Sequence, residues 1–83
     1  MALLFTARAQ DALAGLPKQD AKRLLEALQA VAANPAFRQS YATELVGYPG
    51  AWRLRKGDWR ALYRVVDGDV VVERVAHRKE AYG

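Results

Sequence analysis

The chain has no cysteine, a single histidine and a single methionine. Without cysteine there are neither disulfides nor thiolate metal ligands, and no histidine or carboxylate pair stands at metal-ligand spacing. Long apolar runs are missing too. The longest, Val70 to Val72 with its flanks, is broken by charge and falls far short of the roughly 20 residues a membrane span requires. The opening Met-Ala-Leu-Leu-Phe-Thr-Ala-Arg lacks the extended h-region of a secretory signal, so the expected location is the cytosol. There is no Gly-rich phosphate loop and no Ser/His/Asp set beyond chance, and no cofactor is expected.

What is present suits one compact domain spanning residues 1–83, with 52% hydrophobic and 27% charged residues and no linker or low-complexity stretch. A chain this short buries only roughly 60 to 65% of its unfolded surface, so a bound partner would contribute much of its working stability. Thirteen basic residues outnumber nine acidic ones. The excess is local: between Trp52 and Arg64, Arg53, Arg55, Lys56, Arg60 and Arg64 face one acid, Asp58, which alone matches the net charge of +4. Clustered cations gain binding free energy by releasing counterions from a phosphate backbone, which points to a polyanionic ligand, with a solvated basic surface as the alternative.

Ala2 to Phe5 reads as a short strand, with Thr6 as the N-cap of a helix over Ala7 to Ala14. Gly15 is expected to stop that helix in left-handed geometry, and Pro17 to occupy the first turn of the next. From Lys18 to Ala33, Leu24, Leu25, Leu28, Val31 and Ala32 share one face while Lys22, Arg23, Glu26 and Gln29 hold the other, predicting the longest helix. Asn34-Pro35 ends it. Ala36 to Gly50, with Phe37, Tyr41, Leu45 and Tyr48 irregularly spaced, reads as a loop with room for one turn or short strand. Two strands then flank Lys56-Gly57-Asp58, and Asp67-Gly68 turns the chain into a valine-rich strand over Asp69 to Ala76. The residues from His77 onward form a polar tail too short for an independent helix.

The expected architecture is α+β: an N-terminal strand, a two-helix hairpin, then a three-stranded antiparallel meander with the helices on one face. Alternation turns Trp52, Trp59 and Tyr63 away from the neighbouring arginines and into the core, with stacking on the bases of a single-stranded nucleic acid as the alternative use of their rings. The last strand resists such assignment, because Val70, Val71, Val72 and Val75 fall on both parities.

This order of elements, with Gly47 to Arg55 (Gly-Tyr-Pro-Gly-Ala-Trp-Arg-Leu-Arg), Gly57 to Val65 (Gly-Asp-Trp-Arg-Ala-Leu-Tyr-Arg-Val) and Val75 to Tyr82 (Val-Ala-His-Arg-Lys-Glu-Ala-Tyr), resembles the RelE/ParE superfamily of toxins from bacterial and archaeal type II toxin-antitoxin systems. The resemblance spans nearly the whole chain. It implies a concave sheet face and a cognate antitoxin that wraps and neutralises the protein. For the RelE branch it implies cleavage of messenger RNA on the ribosome, and for the ParE branch poisoning of DNA gyrase. A third alternative is an inert module that only forms the antitoxin complex.

Metal-independent RNA cleavage needs a base for the 2′-hydroxyl proton, an acid for the departing 5′-oxygen and fixed cations around the phosphate. Arg53 and Arg55, two apart on one strand, share a face, and Arg60 across the hairpin is expected to join them over one phosphate. The resemblance places Arg53 and Arg55 where RelE proteins carry basic residues, often lysines, and makes Arg60, Arg78 and Tyr82 the remaining phosphate-binding and catalytic positions. Two departures stand out. Arginine is a poor substitute for a deprotonated lysine, and the interval from Arg78 to Tyr82 is shorter than in some RelE members. His77 is the natural residue type for proton transfer at neutral pH, with a structural strand-end hydrogen bond as the alternative. Glu44 is a further candidate base or a solvated glutamate. Arg64 and Arg74 are expected to make salt bridges or face the antitoxin.

Overall fold

The computed structural model describes residues 2–34 and 42–81, and over these the chain is α+β as expected. Its elements are β1 (Leu3–Phe5), α1 (Ala7–Ala14), α2 (Lys18–Ala33), β2 (Ala42–Glu44), β3 (Ala51–Lys56), β4 (Trp59–Val66), β5 (Asp69–His77) and α3 (Arg78–Ala81). Pro35, Phe37, Tyr41 and Tyr82 lie outside the described residues.

One five-stranded sheet takes the order β1-β5-β4-β3-β2. The meander is one strand longer than expected, because β2 pairs antiparallel with β3 through Ala42 to Leu54, Thr43 to Arg53 and Glu44 to Trp52. β1 lies parallel to β5, with Leu3, Leu4 and Phe5 opposite Val70, Val71 and Val72. The two hairpins follow their turn chemistry. Gly57 has φ 58° at the first position of the β3–β4 turn, the pattern of a type II′ hairpin. Asp67 and Gly68 are both at positive φ, 51° and 84°, as a type I′ turn between β4 and β5 demands.

Both helices pack on one face of the sheet. Leu24, Ala27, Leu28 and Val31 of α2, at the i, i+3, i+4, i+7 spacing of one helical stripe, join Leu54, Ala61, Tyr63, Val70, Val72 and Val75 in a single buried cluster. Val75 belongs there although its parity differs from that of Val70 and Val72. The register shifts between Leu62 and Tyr63: Leu62 opposes Arg74 while Tyr63 opposes Val72, so Glu73 is an extra residue in β5. This β-bulge restores Val75 to the core side and resolves the mixed parities of the valine run.

Thr6 ties α1 to that bulge. Its hydroxyl accepts from the Ala9 amide at 3.1 Å and donates to the Glu73 carbonyl at 3.1 Å, while its own amide donates to the Val72 carbonyl. Thr6→Ala removes the helix cap and leaves the bulge carbonyl without its hydroxyl donor. A loss of about 1–2 kcal/mol is expected by urea unfolding, with Thr6→Ser recovering most of it.

Two details at the helix junction differ from expectation. Gly15 adopts φ −85°, ψ −7°, ordinary right-handed geometry, and its amide closes α1 by donating to the carbonyls of Asp11 and Ala12. Pro17 is the N-cap of α2 rather than a first-turn residue. At φ −52°, ψ 140° its carbonyl accepts from Ala21 while its missing amide hydrogen costs nothing. At the other end of the chain, the tail forms the single turn α3, docked where the Arg78 amide donates to the Asp58 carbonyl at 2.7 Å.

Candidate functional site

The sheet face opposite the helices is built by strand alternation. Across β3, β4 and β5 the register sets Arg55 opposite Arg60, Arg53 opposite Leu62, Leu62 opposite Arg74, and Arg60 opposite Ala76. Directly opposed side chains in antiparallel strands have Cβ atoms about 4.5–5.5 Å apart, so Arg55 and Arg60 are immediate neighbours, while Arg53 and Arg74 flank Leu62 on the same face. Like charges this close repel one another, and an anion laid across them relieves that repulsion. Trp52 and Tyr63, on the other face, stack with ring centroids 6.4 Å apart and planes 9° from parallel, and Tyr63 is buried. The aromatic residues of the hairpin thus support the sheet from behind, as alternation predicts.

The arginines are not equivalent. Arg55 is exposed and Arg53 half-buried, whereas Arg60 is only 8% exposed. Nη1 of Arg60 donates to the carbonyls of Gly57 and Trp59, both at 3.0 Å. Arg60 shares the face of Arg53 and Arg55, but this nitrogen is engaged in fixing the hairpin turn. Its place opposite Arg55 is the one expected, and its anchoring to the turn carbonyls is an addition that the sequence does not show. Arg78 lies at the same turn, with Nε 3.6 Å from Oδ1 of Asp58 and both side chains largely exposed. Arg64 is paired with Glu73, Nε to Oε1 at 2.7 Å, which bears out its reading as a salt-bridging residue.

His77 lies away from the arginines of the sheet face. It pairs with Trp59 in the register, on the face that carries the helices, and its ring meets the Trp59 ring edge-on at 5.3 Å and 88°. Trp59 in turn donates from Nε1 to Oδ2 of Asp20 on α2 at 3.0 Å. Nδ1 of His77 accepts from the Lys79 amide at 3.2 Å, the structural hydrogen bond that was its alternative reading. The cause is parity: His77 immediately follows Ala76, which opposes Arg60, so its side chain points to the opposite face. His77→Ala is expected to cost about 0.5–1.5 kcal/mol in thermal unfolding through the lost ring contact. Any RNA cleavage should stay within about threefold of wild type, against the 10²-fold or greater loss expected for a proton-transfer group.

Glu44 opposes Trp52 and so also belongs to the helix side, exposed on the edge strand β2. Tyr82 lies outside the described residues. Sequence reasoning missed Glu73, which the bulge brings to the arginine face. The only signal for it was the conflicting parity of the valines around it.

Two clefts flank this arrangement. One, of about 270 Å³, lies between α2 and the hairpin tip against Asp20, Lys56, Asp58 and Trp59. The other, of about 450 Å³, opens beside the arginine face and is lined by Arg8, Leu45, Tyr48, Leu62, Glu73 and Arg74 among others. Among the described residues no three His, Asp or Glu side chains gather to hold a metal ion, and no helix is long and apolar enough to cross a membrane.

A family model described as the ParE toxin of the type II toxin-antitoxin system ParDE matches residues 3–82. No curated protein matches the chain. Among solved structures, the toxin-antitoxin complex RelBE2 from Mycobacterium tuberculosis matches with 28% identity and a TM-score of 0.76, over 93% of this chain and 96% of that one. The archaeal RelE–RelB complex from Pyrococcus horikoshii matches with 26% identity and a TM-score of 0.78, over 93% of each chain. The isolated RelE toxin of Escherichia coli shares the fold at a TM-score of 0.80 with 23% identity, over 98% of this chain and 94% of that one.

Proposed function

The chain belongs to the ParE toxin family of type II toxin-antitoxin systems, within the RelE/ParE superfamily, and on that premise we propose that it is a ribosome-dependent endoribonuclease that cuts messenger RNA and is neutralised by a cognate antitoxin. The observation that carries this reading is the convergence of Arg53, Arg55, Arg60 and Arg74 on one face of three adjacent strands, with Arg78 at the hairpin that ends it.

In this mechanism the 2′-oxygen attacks the neighbouring phosphorus and the 5′-oxygen leaves. The phosphoryl oxygens carry the most negative charge midway, which is where fixed cations act. Arg53 and Arg55 supply planar guanidinium forks able to pair with two phosphoryl oxygens at once. Arg60 holds the turn that aims them and adds its charge from below. Arg78 exchanges its long pairing with Asp58 for the RNA backbone. Proton transfer is assigned to Tyr82 and to groups of the ribosome-bound RNA itself, not to His77. The same positive face suits an antitoxin segment that is acidic and folds on binding. Solved relatives that are toxin-antitoxin complexes support such a partner.

A ParE-type gyrase inhibitor is the second reading. Among the described residues, the two carboxylates that the register sets on the charged face are both engaged, Glu73 with Arg64 and Asp69 with the Ala2 amide, so neither is poised as a proton-transfer group. A toxin that only binds needs no such group. Incubating the purified chain with translating ribosomes and, separately, with gyrase and plasmid DNA tests both readings. Cut messenger RNA supports the nuclease, whereas accumulated gyrase-cleaved DNA with intact messenger RNA supports the inhibitor.

A further inference from the structure

The bulge at Glu73 does more than shift the register. It sets two residues of β5, Glu73 and Arg74, against the single Leu62 of β4, and so turns a carboxylate toward Arg64 on the face that carries Arg53, Arg55 and Arg60. That carboxylate is held in place twice. Arg64 Nε donates to its Oε1 at 2.7 Å, and Thr6 Oγ1 donates to the backbone carbonyl of the same residue, locking the bulge to the start of α1. Above it opens the cleft of about 450 Å³, with the Tyr48 ring on its rim and Leu45, Leu62 and Ala51 in its wall. Tyr48 is 63% exposed, so its ring face is open to a flat ligand at the rim of the cleft.

An exposed ring, an apolar wall and one oriented carboxylate beside a phosphate-binding strip are the parts of a nucleobase site. We infer that this cleft receives a base of the RNA whose backbone crosses Arg53 and Arg55, and that it selects guanine. This rests on the endonuclease reading and names the substrate feature that reading leaves open. The choice of base follows from donor geometry. A carboxylate only accepts hydrogen bonds, and guanine alone offers two adjacent donors, N1–H and N2–H, on its Watson–Crick edge. Adenine and cytosine each offer one amino group beside an acceptor that a carboxylate repels, and uracil offers a single N–H between two carbonyls. The Oε1 atom already bound by Arg64 keeps a second lone pair, so the pairing with Arg64 orients the carboxylate without closing it. Tyr48 stacks on the base and Arg74 lies within reach of its flanking phosphate.

The test uses the purified chain and short 2′-O-methyl RNAs, which bind but cannot be cut: an all-uridine strand and the same strand carrying one guanosine, inosine, adenosine or cytidine. The guanosine strand is expected to bind about tenfold more tightly than the adenosine or cytidine strand, with inosine, which lacks the 2-amino donor, in between. Glu73→Gln should abolish that preference while leaving the all-uridine strand bound at least as well as by wild type. Tyr48→Ala should weaken all base-bearing strands alike, and Tyr48→Phe should restore them. Both side chains are exposed, and a melting curve for each variant checks that it folds.

Equal binding of all strands by the wild type overturns the inference. So does a preference that survives Glu73→Gln. It is equally overturned if the two variants weaken capture of an acidic antitoxin peptide and leave RNA binding untouched, because the cleft would then be a protein-docking site. Guanine preference without cleavage on ribosomes would sink the nuclease reading and keep the pocket. Cleavage with no base preference would do the reverse.

Discussion

Arg53→Ala combined with Arg55→Ala is expected to leave the protein folded and to slow messenger RNA cleavage on ribosomes by about 10²–10³-fold or more, with loss of growth arrest. The two residues alternate with the buried Leu54, so their side chains leave the core untouched when truncated. Removing them also lifts like-charge repulsion with Arg60, which opposes Arg55, so melting temperature should hold or rise slightly. A loss of activity accompanied by greater stability is the signature of residues kept for a ligand and not for the fold. Arg55→Lys keeps the charge and gives up the planar fork, so an intermediate rate is expected. A double variant that cuts at the wild-type rate would remove the arginine face from the mechanism.

Leu54→Ala should produce the opposite pattern: severe destabilisation. Leu54 is fully buried, and its cross-strand neighbours on the same face are Ala42 and Ala61, so its side chain fills the space those two alanines leave. Neither alanine is large enough to fill the gap. The expected cost is about 2–5 kcal/mol, near the upper end because the cavity persists. That is a large part of the roughly 5–15 kcal/mol that holds a domain together, and at about 4–8 °C per kcal/mol the melting temperature should fall by tens of degrees. Leu54→Met conserves volume and should cost less than about 1.5 kcal/mol. A small effect of Leu54→Ala would mean that the helices do not rest on the sheet at this point.

The parts legible in the sequence are those where local chemistry and the long-range pattern agree. Lys18–Ala33 is bounded by prolines and carries a clean helical stripe, and its bounds are those expected. The β3–β4 hairpin follows from alternation around a glycine turn, and the same alternation separates Arg53 and Arg55 from Trp52 and Leu54. Thr6 as an N-cap is readable for the same reason.

What escaped were features fixed by pairing between distant segments. β2 is three residues long and has no period of its own, so the sequence leaves room for a short strand there without placing it, and β3 supplies the edge it pairs with. The bulge hides in a run of valines equally suited to either face, and only the register against β4 shows that one residue is extra. His77 was read from its chemistry, while its placement is set by a strand parity that counts back to that same bulge. Arg60 carries the charge expected of it, yet it is anchored by turn carbonyls that the sequence does not display.

The most direct test of the account is a primer-extension map of messenger RNA on translating ribosomes exposed to the purified chain, beside its Arg53→Ala, Arg55→Ala form. New 5′ ends should appear within ribosome-covered codons for the wild type and be absent for the variant. Intact messenger RNA under the wild type, at concentrations that still arrest growth, would contradict it.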